Sequence, residues 1–274
     1  MVKMIFSQKQ LGKIYYKQRA VIMFLPSLIG FTVFYILPFF RSMGYAFVDN
    51  TFTQNFVGLQ NFLTIWGNEY FRLAMKNTLL FTCIAVPLVL LLGLLFSAGL
   101  IRITARIANI LQNSAFLPVL LPSASMVMFW QAYLSSIKPF SSLLLFYLWK
   151  YLGLHVMLFL CAMTAIPKKV LEAAEIDGAG GWRRLWKIEL PCIRSTVFFS
   201  AVLAIVNSLK IFRESYLLYG AYPDESVYMI QNYLNNHFEK MNLQNVSTVA
   251  IYFALAVYII TLILFRWDRK VDVS

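Results

Sequence analysis

Six long apolar stretches divide this chain, at about Ala20–Phe40, Ala74–Leu100, Ile107–Leu134, Ser141–Ala165, Thr196–Leu218 and Ser247–Phe265. Each is long enough to cross a hydrocarbon core about 30 Å thick, which takes roughly 20 residues of helix. Backbone polar groups in lipid must pair within their own segment, so helices are expected and strands are not. The predicted fold class is therefore all-α, a polytopic transmembrane helical bundle of six spans. Only 13% of the 274 residues are charged and 60% are hydrophobic, with mean hydropathy +0.67. A soluble domain of this length carries about a quarter charged residues. Prolines fall inside the stretches at Pro26, Pro87, Pro118 and Pro122. Packed membrane helices tolerate such kinks, and the pair at Pro118 and Pro122 predicts a bend in the third span.

The net charge of +12 does not read as nucleic-acid binding, because the cations lie between apolar runs rather than on one continuous face. They set an orientation instead. One side holds Lys3, Lys9, Lys13, Lys17, Arg19, Arg102, Arg106, the six between Lys168 and Arg194, and Arg266, Arg269 and Lys270. The other holds only Arg41, Arg72, Lys138 and Lys240, while Lys76, Lys150, Lys210 and Arg213 are in or at the edges of spans. By the positive-inside rule both termini are expected in the cytoplasm. The apolar run after Arg19 is too long for a signal peptide and ends in bulky Phe39 and Phe40, so it is read as a retained first span. The expected division is a basic cytoplasmic tail over 1–19, a first span and outer loop over 20–69, a transmembrane core over 70–266, and a cytoplasmic tail over 267–274.

Catalytic and metal signatures are missing from the sequence. There is no Gly-x-x-x-x-Gly-Lys-[Ser/Thr], His-Glu-x-x-His, Cys-x-x-Cys or Gly-x-Ser-x-Gly. Cys83, Cys161 and Cys192 are read as buried small hydrophobes. His155, inside a span, and His237, in an outer loop, are read as packing or surface residues. No metal site is expected.

The cytoplasmic connection over 166–191 is the most informative segment. Pro167 suits the first turn of a helix and Gly178 its C-terminal stop. A second short helix is expected from about Trp182 to Glu189, with Trp182, Leu185 and Trp186 on one stripe and Pro191 ending it. The small residues Ala173, Ala174 and Gly178 would let another protein press close. The pattern alone equally allows an amphipathic loop resting on lipid headgroups.

The run Glu172-Ala173-Ala174, Asp177-Gly178-Ala179, Ile188-x-Leu190-Pro191 resembles the EAA motif of permease subunits from binding-protein-dependent ABC importers. Further segments resemble the carbohydrate branch of that family, the maltose and multiple-sugar permeases. They are Phe56-Val57-Gly58-Leu59-x-Asn61-Phe62, Asn77-Thr78, Val86-Pro87, Phe116-Leu117-Pro118, Pro122, and Phe212-Arg213-Glu214-x-Tyr216-Leu217-Leu218 with Tyr222-Pro223. Together they cover most of the chain from about residue 20 to 266.

The resemblance implies the type I ABC importer permease architecture in the bacterial cytoplasmic membrane. It implies that Glu172, Ala173, Ala174, Asp177, Gly178, Ala179, Trp182 and Arg183 couple the bundle to a separate ATPase. It also implies a second homologous permease subunit, two cytoplasmic ATPase subunits, an external sugar-binding protein and lipid as partners, with no nucleic acid. No cofactor is expected in this chain; ATP and Mg would bind the partner ATPase. Two features depart from the branch: a short outer connection near Ser135–Phe140, and Gly220-Ala221-Tyr222-Pro223 where a Gly-Gly-Gly-Pro-like turn is usual.

The fifth stretch carries a polar cluster, Asn207, Lys210, Arg213 and Glu214, with Asn207, Lys210 and Glu214 on one face by spacing. Two readings stay open. One is a Lys210–Glu214 pair that satisfies itself and snorkels outward. The other is a polar wall of a translocation cavity that hydrogen-bonds sugar hydroxyls, to which Tyr216 and Tyr219 would add stacking faces. The leading function is the transmembrane subunit of an ATP-driven sugar importer. Alternatives are an importer for another polar solute, an ion-coupled secondary transporter, which would need ion sites at broken helices, and, weakest, a membrane enzyme acting on lipid.

Overall fold

The computed structural model describes residues 21–134 and 136–271. The basic N-terminal tail over 1–19, Ser135 of the outer connection and residues 272–274 of the C-terminal tail lie outside them. Helices dominate the described residues. In chain order they are α1 (Val21–Phe47), α2 (Gln60–Gly67), α3 (Glu69–Leu100), α4 (Ala105–Leu120), α5 (Ser123–Leu134) and α6 (Pro139–Thr164). There follow α7 (Lys168–Ile176), α8 (181–192), α9 (Arg194–Leu209), α10 (Phe212–Tyr219), α11 (Ile230–Glu239) and α12 (Leu243–Val271). Five helical runs are long and apolar enough to cross a membrane: α1, α3, α6, α9 with α10, and α12. The pair α4–α5 makes a sixth crossing if taken as one broken span.

Two compact units are present. The first holds residues 21–65 together with Met241–Ile251. Here α1 carries a π turn at Thr32–Ile36 just before Pro38, so the missing proline N–H falls after a widened turn. After α1 the chain turns back on itself. Asn61 donates from Nδ2 to the carbonyls of Ala46 (2.9 Å) and Val48 (2.8 Å), and Gly58 sits at φ +59°, a conformation that favours glycine.

The second unit, Trp66–Lys240 with 252–271, holds the larger core. The helices α3, α4, α6 and α9 pack on one another around Phe81, Ala85, Val89, Phe146, Tyr147 and Ala204. Close approach is set by small residues. A Cβ on Gly153 of α6 would lie 1.9 Å from the Ala115 carbonyl oxygen of α4, so only glycine allows those backbones to meet. His155 lies buried in the same core and shares a 2.6 Å hydrogen bond with Ser200, the packing role expected of it.

The bend expected at Pro118 and Pro122 is a full break. Pro118 stays within α4, and the chain turns through 105° between α4 and α5 across Leu121 and Pro122. Proline at 122 removes the N–H that would continue α4 and disfavours a helical residue before it; Leu121 is extended, at ψ 144°. A second interruption was not expected. The fifth span breaks at Lys210–Ile211, between α9 and α10.

The cysteines differ from expectation: Cys83, Cys161 and Cys192 are free and exposed on the outside of the helices. A thiol facing lipid is no less satisfied than one in a protein core, so apolar surroundings in the sequence do not report burial.

Candidate functional site

At one end of the bundle α7, a tight turn and α8 form an elbow between the fourth and fifth spans. The turn is built on Gly178, at φ +71°, where the N–H groups of Asp177, Gly178 and Ala179 close onto the carbonyls of Ala173, Glu175 and Ala174. A side chain at this φ is strained, and a Cβ would meet nothing within 4 Å. The turn therefore projects freely from the bundle.

The elbow is rigidly seated. Leu185, Ile193 and Ile166 are buried with Leu94, Ala98, Phe159 and Met163 from the ends of α3 and α6, and Leu171 and Leu190 pack beside them. Arg184 donates from Nε to Glu189 (2.8 Å) and from Nη1 to Glu175 (2.7 Å), which ties α8 back to α7. Arg102 donates from Nη2 to the Gly181 carbonyl at 2.9 Å and fixes the entry to α8.

Of the residues expected to couple, Glu172, Ala173, Asp177, Gly178, Trp182 and Arg183 are exposed, and Ala179 is half-buried. Ala174 is buried and cannot meet a partner; its small side chain lets α7 lie against the bundle. The stripe Trp182, Leu185, Trp186 is split as well. Leu185 turns inward, while Trp182 stays 65% exposed with its ring 5.5 Å from that of Trp186. Pro191 does not end the second helix. A π turn over Leu185–Glu189 precedes it, in which the Leu190 N–H reaches the Leu185 carbonyl. The helix continues through Leu190–Cys192, because the widened turn relieves the clash a proline otherwise makes with a carbonyl four residues back.

The second candidate feature lies where the two helix breaks meet. Ser123 opens α5 just after the first break, Glu214 lies in α10 just after the second, and Lys150 projects from the middle of α6. Lys150 Nζ donates to Glu214 Oε1 (2.5 Å) and to Ser123 Oγ (2.9 Å), and Ser123 Oγ donates to the same carboxylate oxygen at 2.7 Å. The Lys150 and Glu214 side chains are only 9% and 2% exposed. The other carboxylate oxygen, Oε2, is buried and accepts no hydrogen bond. The Lys210–Glu214 pair read from the sequence is thus replaced by Lys150–Glu214. Lys210 lies in the short turn between α9 and α10, and the Glu214 carboxylate is held by Lys150 of α6 instead.

A cavity of about 520 Å3 opens beside this triangle, lined by Ser123, Lys150, Tyr151, Lys210, Phe212, Arg213 and Glu214, with Gln231 of α11 joining from the far side. Among the expected cavity residues, Lys210 and Glu214 line it. Tyr216 lines the adjoining concavity with Pro122 and Arg213, Tyr219 turns away to within 3.4 Å of the Pro139 carbonyl, and Asn207 lines neither. Lys150, Ser123 and Tyr151 escaped the sequence reading. The available signal was Lys150 itself, a lysine inside an apolar stretch that could only be there with a partner.

At the opposite end, the segment after α10 is fastened to α3 by the Asn77-Thr78 dipeptide. Asn77 donates to the carbonyls of Glu225 (2.6 Å) and Tyr228 (3.0 Å), and Thr78 accepts from the Ile230 N–H at 2.9 Å. A smaller concavity of about 330 Å3 opens there among Tyr70, Tyr222, Tyr228, Tyr233 and His237. Burial pushes the Tyr233 phenol up to about 12, and burial with the nearby Lys240 holds the His237 imidazole below its ordinary value. The outer connection is short, as expected, and is held by Ser142, whose hydroxyl donates to the Leu134 carbonyl at 3.0 Å. Among the described residues no cluster of side chains could hold a metal ion.

Comparison with known proteins gives consistent results. Residues 78–272 match the family described as "Binding-protein-dependent transport system inner membrane component". The osmoprotective compounds uptake permease protein GgtC of Synechocystis is 23% identical over 85% of this chain and 92% of its own length. The sn-glycerol-3-phosphate transport system permease protein UgpA of Pectobacterium atrosepticum is 26% identical over 92% of this chain and 94% of its own. Among solved structures, a chain of a bacterial ABC transporter involved in import of the acidic polysaccharide alginate superposes with TM-score 0.80 at 22% identity, covering 96% of this chain and 99% of that one. A chain of the bacterial alginate ABC transporter in complex with its alginate pentasaccharide-bound periplasmic protein gives 0.79, also at 22% identity, covering 94% and 96%.

Proposed function

The chain belongs to the family of binding-protein-dependent transport system inner membrane components, and we propose that it is one transmembrane half of an ATP-driven sugar importer. As a multi-pass membrane protein of that family it is a transport subunit rather than an enzyme. In this reading both termini and the elbow face the cytoplasm, an orientation that the distribution of lysine and arginine supports. A second six-span permease completes the pathway, two cytoplasmic ATPase subunits bind ATP and Mg, and an external binding protein delivers the solute. Closure of the ATPase pair pushes on the elbow and rocks the bundle between outward- and inward-open states.

The observation that carries the proposal is the construction of the elbow. Its Gly178 turn and the exposed Glu172, Asp177, Trp182 and Arg183 project outward, while Leu185, Ile193 and the Arg184 ion pairs bind its other face to α3 and α6. A lever needs an exposed contact face and a stiff connection to what it moves, and this segment has both. The sugar assignment rests on the carbohydrate-branch resemblance and on the hydroxyl-bearing cargoes in the names of two relatives, alginate and sn-glycerol-3-phosphate. The cavity supports it with donors and acceptors in Ser123, Gln231 and Glu214 beside the Tyr151 ring. Two broken helices beside a buried ion pair also suit an ion-coupled carrier, but membership of this family favours binding-protein-dependent uptake.

Gly178→Trp tests the lever. The added side chain meets nothing within the bundle, so the chain should insert at normal abundance while solute uptake falls by at least an order of magnitude and ATP hydrolysis no longer responds to the loaded binding protein. Gly178→Asn, which tolerates the left-handed turn, separates strain from obstruction and should retain most uptake. Wild-type uptake by Gly178→Trp would count against docking at the elbow.

A further inference from the structure

The cavity between the two helix breaks holds three cations, Lys150, Lys210 and Arg213, and one carboxylate, Glu214. Lys150 and Glu214 satisfy one another, with Ser123 as the third member. Lys210 and Arg213 have no carboxylate within 4.0 Å among the described residues, where the ion pairs are Lys150–Glu214, Arg184–Glu175 and Arg184–Glu189. Both are exposed, and both belong to a segment apolar enough to cross the membrane.

Uncompensated cations at membrane depth are costly and persist where they face water or a counter-ion. Snorkelling to lipid headgroups does not account for these two. They share one concavity with Lys150, which sits near the middle of α6, so their side chains open toward the interior of the bundle. Turning them inward leaves two positive charges beside a buried carboxylate oxygen, Glu214 Oε2, that has no hydrogen-bond donor. A neutral sugar would leave those charges unmatched. A solute bearing a negative charge and hydroxyl groups would match them and the polar side chains of Ser123 and Gln231 that line the same cavity.

We propose that this cavity selects a hydroxylated anion, a sugar acid or a phosphorylated sugar, with Lys210 and Arg213 holding its charge and Gln231 hydrogen-bonding its hydroxyl groups. The proposal rests on the importer reading and adds the charge of the cargo to it. Guanidinium and ammonium groups bind both carboxylates and phosphates, so the shared chemistry is the anion and the probes below separate its forms.

The test uses the whole importer, purified in detergent with its partner subunits. Thermal unfolding is followed against glucuronate, glucose 6-phosphate, inorganic phosphate and glucose. Glucuronate or glucose 6-phosphate should half-saturate at a concentration about tenfold below glucose, the ratio that about 1.4 kcal/mol of added charge contact gives. Inorganic phosphate, which lacks a sugar ring, should bind more weakly than glucose 6-phosphate. The preference should vanish in the Lys210→Gln/Arg213→Gln double variant and survive in Lys210→Arg/Arg213→Lys, which keeps both charges. Equal response to glucose and the anions, or no response to any anion up to its solubility limit, overturns the proposal. So does dissociation of the two permease chains in the double glutamine variant, which would mean that the cations pair with a carboxylate of the second permease. Any of these outcomes leaves the importer reading standing if the loaded binding protein still stimulates ATP hydrolysis in the wild-type assembly. Loss of that stimulation would remove the importer reading itself.

Discussion

Lys150, Ser123 and Glu214 come from three helices, and no two of them lie close in sequence. Removing one partner of a buried pair strands the other charge, at about 3–5 kcal/mol, whereas replacing both with apolar groups of similar size is often near neutral. Lys150→Met and Glu214→Leu should therefore each lower the thermal midpoint of the purified assembly sharply, and the double variant should recover most of the loss. Additive losses would show that the triangle contributes nothing as a unit. The limit of sequence reading is plain at this site. Glu214 was recognisable as an acid inside a span, but the only partner visible was Lys210, four residues away. Proximity along a helix can be read from spacing; contact across 64 residues cannot. The exposed cysteines make the same point, since lipid and protein core leave identical apolar surroundings in the sequence.

At the scale of elements, the spans and the elbow were legible because length, hydropathy and a positive-φ glycine leave local marks. The breaks were only half legible. Pro118 and Pro122 announced one, though not its 105° angle, which depends on what α4 and α5 pack against. The break at Lys210–Ile211 carries no proline or glycine, and neither does the π turn over Leu185–Glu189 that lets α8 pass through Pro191. Two outcomes follow from the packing. Gly153→Ala forces α4 and α6 apart against a backbone carbonyl, an overpacking of about 1–3 kcal/mol, and should lower the thermal midpoint without altering the elbow. Within the elbow, Glu189 is 5% exposed and Glu175 is 63% exposed, and both pair with Arg184. Glu189→Gln should consequently reduce coupling of ATP hydrolysis to uptake far more than Glu175→Gln, because an exposed pair adds only about 0–1 kcal/mol. Equal effects would detach the coupling from the stiffness of the elbow.

At the scale of the whole molecule, the chain is a transport subunit. Large apolar side chains are exposed along all its spans, from Phe24 and Phe34 of α1 to Tyr258 and Ile263 of α12, and only lipid or another bundle can cover them. Its polar cavity lies within the spans and its elbow at their end. Family membership supplies what the single chain lacks: a delivered solute and a source of work. An elbow that works as a lever must lie on the cytoplasmic side of the membrane and touch the ATPase. With Cys83, Cys161 and Cys192 replaced by alanine, a single cysteine at Asp177 in the intact importer should resist a membrane-impermeant thiol reagent added outside cells and react once the membrane is opened. On mild oxidation it should cross-link to a cysteine on the ATPase, at a yield that changes when ATP is bound. Labelling from outside, or an Asp177→Cys chain that cross-links to nothing in an assembly still able to transport, would contradict it.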